Sequence, residues 1–271
     1  FRSVSPDFLC IGTSIPSNWE MEFAIAAKTK NIPVAVCADT WGGLQRLANL
    51  RPALAFVIDR EEKDRIHAAG LAERCEVIGD IASTFSTGER LDVFGSRTSV
   101  LVVGDDPATA SEIIELVSAS VRLEASPDDF VIVPRLVHPK YASTHVESEL
   151  AQIAEQALEG LRMERLQGIS TDVLAARATY TVACFSTSLR VAIHHGRRGI
   201  SASGNGCMQL LERETGSAEY PLVSYGVMPA LSAPAPFTQL AWTDYESKAR
   251  EWAAASRFAP EMAADTLLSL L

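Results

Sequence analysis

Residues 180–203 read YTVACFSTSLRVAIHHGRRGISAS. The stretch divides into three. YTVACFS (180–186) is apolar and β-branched, the composition of a strand covered on both faces. TSLRVAIHHG carries apolar residues at helical spacing and closes on Gly196, a residue suited to a helix C-cap. RRGISAS (197–203) is strand again and is read as the last of its set. A crossover this compact joins parallel neighbours, so the stretch predicts a parallel sheet flanked by helices.

The same rhythm extends upstream. SVLVVG (99–104) is a strand, and the following helix has Asp106 as cap and Pro107 at its first helical position. DFVIVPRLVHP (129–139) is a strand, ESELAQIAEQALEGL (147–161) a helix, MERLQ (163–167) a short strand and STDVLAARA (170–178) a helix capped by Ser170. An earlier group repeats the alternation: DFLCIGTS (7–14), a helix over 18–31 capped by Asn18, IPVAVCAD (32–39), ALAFVID (53–59), a helix closing on Gly70, and CEVIGD (75–80). Between the groups, 81–99 is polar and lacks periodicity, as a linker does. PALSAPAPF (229–237) is too rich in proline for a helix and reads as a surface crossing, and the tail returns to helix with a break at Pro260.

Bulk properties narrow the function. The 271 residues are 47% hydrophobic with net charge −10, so no global positive field draws the chain to nucleic acid or anionic lipid. An anionic ligand must be captured locally. No apolar run reaches the roughly 18 residues that span a bilayer. Five cysteines without a C-x-x-C pair favour free thiols in a reducing cytoplasm and disfavour zinc. Neither G-x-G-x-x-G after a strand nor G-x-x-x-x-G-K-[ST] is present, which lowers the odds of a dinucleotide dehydrogenase or P-loop enzyme.

In open parallel sheets ligands lie where strands hand over to helices. At CFSTS (184–188) Ser186 ends a strand and Thr187 or Ser188 caps a helix, whose first amides have no intrahelical partner and carry the positive end of the dipole. Phosphate fits there, although one hydroxyl suffices for simple capping. His138 precedes Pro139, which favours extended geometry, and it either donates to a phosphate or is an exposed loop histidine; Arg135 and Lys140 add positive charge nearby. His194 and His195 fall in a last helical turn and read as structural. SGNG (203–206) is either a turn or a loop against a sugar. In CADTWGG (37–43), Asp39 beside Trp41 either grips a sugar or starts a turn.

A strand ending in HP (138–139) and a later strand ending in STS (186–188), within two lobes of parallel α/β, resemble the GT-B glycosyltransferases, above all the HP-motif group of bacterial sialyltransferases and polyglycerol-phosphate and Kdo transferases. The resemblance implies two Rossmann-like lobes: an N-terminal acceptor-side lobe (1–85), incomplete against the family pattern; a linker (86–98); a nucleotide-binding lobe (99–245); and C-terminal helices (246–271) that pack back toward the N-terminal lobe. It implies that His138, Pro139, Ser186, Thr187 and Ser188 hold the phosphate of a nucleotide-activated sugar donor, and Arg135 joins this candidate set for its nearby positive charge. Asp39 and His138 are the catalytic candidates. The expected activity is a cytoplasmic, metal-independent and cofactor-free transfer of a sugar or polyol phosphate to a glycan or polyol acceptor in polysaccharide biosynthesis, with peripheral membrane association left open. A nucleotide-sugar epimerase or hydrolase, and a non-catalytic binding protein of the same fold, stay open beside it.

Overall fold

A computed structural model describes residues 6–13, 19–47, 49–85, 94–104, 107–136 and 144–269. It divides into two compact units: Phe1–Thr84 with Glu214–Gly216 and Ala255–Leu271, and Phe85–Arg213 with Ser217–Ala254. Each carries its own parallel sheet, as the alternating pattern predicts.

The first unit pairs β1 (Leu9–Ile11), β2 (Val34–Cys37), β3 (Leu54–Val57) and β4 (Arg74–Val77) in sequential order, all parallel. Strand side chains alternate between faces. Val34, Val36, Ala55 and Val57 meet Ala24 and Ala27 of α1 (Trp19–Lys28), Leu44 and Leu47 of a short 3₁₀ turn, and Ile66 of α2 (Arg60–Ala68). Sequential order with right-handed crossovers sends every connection to that face. Ala35, Leu54 and Phe56 on the opposite face pack against Phe258, Ala263 and Leu267, the last two from α10 (Pro260–Leu268). Cys37 sits at the edge of that cluster, and burial pushes its thiol up to about 11.

The second unit holds β5 (Thr98–Val103), β6 (Phe130–Arg135), β7 (Tyr180–Ala183), β8 (Arg198–Ala202) and β9 (Ala230–Leu231), ordered β6-β5-β7-β8-β9 and parallel throughout. Its helices are α3 (Pro107–Arg122), α4 (Thr144–Ala157), α5 (Thr171–Ala175), α6 (Thr187–His194), α7 (Asn205–Thr215), whose last two residues count with the first unit, α8 (Pro221–Ser224) and α9 (Trp242–Ala255). No helix among the described residues is long and apolar enough to cross a membrane.

Two sequence expectations need correction here. The strand expected over 163–167 is reduced to one bridge, Met163 to Ile132, outside β6. Its charged residues, Glu164 and Arg165, suit an exposed edge that needs only a single residue of pairing. The segment 229–237 does not merely cross the surface. Ala230–Leu231 adds a strand beyond β8, which is therefore not the last of its set. Phe237 is wholly buried against Tyr180, ring centroids 5.3 Å apart, and Glu124 accepts the Thr238 amide at 3.1 Å. Proline is compatible with this route because an edge strand needs few donors.

Phe56→Ala removes the largest side chain from the face covered by α10. It is expected to cost about 3–5 kcal/mol, seen as a lower urea midpoint. Phe23→Ala, on the exposed side of α1, should cost under about 1 kcal/mol; comparable losses would contradict this assignment of faces.

Candidate functional site

With the Met163 bridge included, the second sheet runs bridge-β6-β5-β7-β8-β9. Connections from β5 lead outward to β6, and those from β7 lead the opposite way to β8. The reversal falls between β5 and β7, and doubly wound sheets take their ligands beyond the carboxyl ends of the strands at such a switch point. Ser186 and Thr187 follow β7 directly.

Ser186, not Thr187 or Ser188, is the N-cap of α6, and its Oγ accepts the Ser188 amide at 3.3 Å. The strand stops at Ala183, which leaves Cys184 and Phe185 as the turn and moves the cap to the first hydroxyl of the triplet. Thr187 is exposed, and its Oγ1 accepts from Arg190 Nη2 at 3.3 Å. Ser188 is buried, and its hydroxyl donates to Asp172 Oδ1 of α5 at 3.2 Å. A hydroxyl has one proton and two lone pairs. Ser186 and Thr187 each already accept an N–H, so each keeps its proton to donate. Ser188 has spent its proton on a carboxylate. Two outward donors and the first amide of a helix make a surface that suits an anion.

Around this start the other expected residues divide. β6 leads into the HP pair and lies two strands from β7, with only β5 between, at a spacing of about 4.8 Å per strand. His138, Pro139 and Lys140 themselves lie outside the described residues. Arg135 ends β6 and donates through Nη2 to the Leu166 carbonyl and to the Ile169 carbonyl at 3.0 Å, so its guanidinium ties down the chain that leads into α5. Burial lowers its pKa from the ordinary arginine value. The Gly104 amide donates to the Arg135 carbonyl at 2.9 Å, and a Cβ on Gly104 would collide with the Leu136 carbonyl. Glycine at the end of β5 is what lets the exits of β5 and β6 run this close.

SGNG opens α7, and the Glu112 carboxylate from α3 lies against it: Oε2 accepts the Cys207 amide at 3.1 Å, and side chains on Gly204 or Gly206 would meet that carboxylate. The protein's own anion therefore caps this helix. His194 lies ring to ring with Trp252 at 5.1 Å, and His195 Nε2 lies 3.1 Å from the Phe85 carbonyl.

In the first unit, Asp39 is exposed just past β2, and Thr13 donates to its Oδ1 at 2.8 Å. Trp41 does not pair with it at a surface. Trp41 is 2% exposed and donates its indole N–H to Asp59 Oδ2 at 2.9 Å. Asp59 also caps α2 through the Glu62 amide, and Glu62 is bound by Arg65 at 2.7 Å. The aromatic half of the expected sugar grip is thus inside a polar network that anchors α2. Among the described residues no group of three or more His, Cys, Asp or Glu could hold a metal ion.

Arg190, Asp172 and Glu112 escaped sequence reasoning. Only Arg190 left a trace, as a single cation inside the apolar run LRVAI.

No family model and no curated protein matches this chain. Solved structures do. A Listeria monocytogenes protein assigned as a UDP-N-acetylglucosamine 2-epimerase is similar at TM-score 0.67 and 12% identity, over 97% of this chain and 72% of its own. The UDP-GlcNAc 2-epimerase of Neisseria meningitidis, bound to UDP-GlcNAc, is similar at 0.61 and 12%, over 97% and 76%. The glycotransferase of kitacinnamycin is similar at 0.61 and 13%, over 100% and 77%. The chain has the two-sheet Rossmann-like α/β fold that GT-B glycosyltransferases and these epimerases share.

Gly104→Ala should force β5 and β6 apart at their exits and cost about 1–3 kcal/mol, read from thermal melts. Gly204→Ala should be milder, because the Glu112 carboxylate ends a flexible side chain and can swing away. The reverse ranking would contradict the close approach at Gly104.

Proposed function

We propose that this protein acts on a nucleotide-activated sugar and that the start of α6 receives the donor's phosphates. The observation that carries this reading is the polarity of the two hydroxyls that start α6: half-buried Ser186 and exposed Thr187 each accept an N–H and so keep a proton to donate, at the switch point of the sheet. The similarity to a structure that holds UDP-GlcNAc supports the same ligand class.

The activity we favour is glycosyl or polyol-phosphate transfer. In glycosyl transfer an acceptor oxygen attacks while the sugar C1–O bond to the nucleotide's phosphate breaks. In polyol-phosphate transfer the anhydride bond between polyol phosphate and nucleotide breaks instead, and in both charge grows on the departing nucleotide phosphate. The α6 amides and the two hydroxyls stabilise that charge where it develops, with no metal called upon. His138 and Pro139 extend the cradle in this reading and link the chain to the HP-motif transferases. Asp39, its carboxylate oriented by Thr13, is our candidate for accepting the acceptor's proton. The acceptor is a glycan or polyol, and the setting is the cytoplasm.

A second reading, epimerisation or hydrolysis of the nucleotide sugar, is supported by the likeness to the two epimerase structures. Incubating UDP-GlcNAc with the protein and following it by NMR separates the readings. A new UDP-sugar or free UDP without acceptor favours the second, and turnover that requires acceptor favours transfer.

Ser186→Ala with Thr187→Ala should weaken UDP binding about tenfold or more by calorimetry. Ser188→Ala should instead lower stability by about 1 kcal/mol through its lost Asp172 contact and leave affinity within about threefold. Unchanged UDP affinity in the double variant would sink the phosphate site.

A further inference from the structure

Phe23 and Ile25 stand 50% and 54% exposed on α1, two large apolar side chains in solvent two positions apart. Ala24 and Ala27 of the same helix take the side that faces the sheet and are wholly buried. At about 100° per residue, the opposite side carries Glu22, Ala26 and Lys30 in one row, spaced i, i+4, i+8. Lys30 continues the row in the turn that follows the helix, where its amide donates to the Ala27 carbonyl at 2.9 Å. Phe23 runs along one flank of this row and Ile25 along the other. Beside Ile25 the surface is concave. Met21, Ile25 and Thr29 face Asn49 and Leu50 across an apolar cavity of about 300 Å³, and Lys28 ties its two walls by donating to the Leu50 carbonyl at 3.1 Å.

Exposed apolar surface rimmed by charge marks contact with another protein. The order of the charges says which one. Glu22, acidic, begins the row, Lys30, basic, ends it, and small Ala26 lies midway between them. Two such helices laid antiparallel and crossing at Ala26 bring Glu22 of each copy against Lys30 of the other. Alanine at the crossing lets the backbones approach. A two-fold axis through that point sets the Ile25 flanks of the two copies side by side, each beside the other's cavity. The row is complementary to itself, as an isologous contact requires. We propose that α1 is the surface through which two copies of this chain pair, antiparallel about Ala26. A contact built on one helix of ten residues is small beside a standard interface. The pairing is therefore reversible, with a dissociation constant on the order of tens of micromolar.

Sedimentation velocity of the full chain at about 5 and about 300 μM brackets that range. Wild type should move toward twice the mass of one chain at the higher concentration. Ile25→Glu, at an exposed position, should keep it monomeric at both concentrations with its thermal melt unchanged. Glu22→Lys and Lys30→Glu each place like charges opposite one another and should weaken pairing about tenfold or more. Combining the two exchanges the signs on both copies and should restore pairing to within about threefold of wild type. Wild type that stays monomeric at the higher concentration overturns the proposal. A dimer insensitive to Ile25→Glu overturns it too, as does a combined variant that pairs no better than the single ones. Should Ile25→Glu not fold, the charge exchange decides alone.

Discussion

The direction in which each crossover leaves its strand governs both units. A parallel sheet is apolar on both faces and both must be covered. In the first unit every connection runs the same way, so α1, the 3₁₀ turn and α2 collect on one face. Leu54 and Phe56 on the other face have no cover from their own stretch of chain, and Phe258 with Ala263 and Leu267 of α10 supplies it. The first core is therefore closed by residues about two hundred positions away in sequence, a long-range contact with a corresponding cost in chain entropy. In the second unit the direction reverses at β5, and Ser186 and Thr187 follow β7, the strand beside that switch point.

Polar groups at the carboxyl ends of the strands are shared out by the same geometry. Asp59, Glu62 and Arg65 are spent on Trp41 and the start of α2. Glu112 is spent on the start of α7, and Asp172 on Ser188. Each pairing satisfies a buried or half-buried group, and each removes one candidate from ligand binding. Among the described residues at the start of α6, half-buried Ser186 and exposed Thr187 each accept an N–H and keep a proton to give.

Much of this was legible in the residues. The alternation of apolar runs with helical periods predicts both parallel sheets, and Ser170 and Pro107 occupy the helix-start positions that their chemistry favours. The STS triplet could be placed at a strand-to-helix junction. Which of its hydroxyls donates outward could not, since that depends on Arg190 from one turn later and on Asp172 from another helix. Trp41 beside Asp39 left a sugar grip and a turn both open in the sequence, and only the packing of α2 reveals that its N–H has a buried carboxylate to meet. The Pro/Ala-rich run from 229 looked solvent-bound by composition, although Phe237 fills a gap beside Tyr180.

Sequence alone determined the class of fold and the junctions at which chemistry could sit, because strand and helix periods, caps and turn residues are local properties of the chain. Tertiary structure decided the strand order, the cover over the second face of the first sheet, and the polarity of each hydroxyl at the start of α6. Those follow from which distant groups are brought within a few ångströms of one another. Hydrogen-bond direction and burial are properties of such pairs, and no single stretch of sequence contains both members.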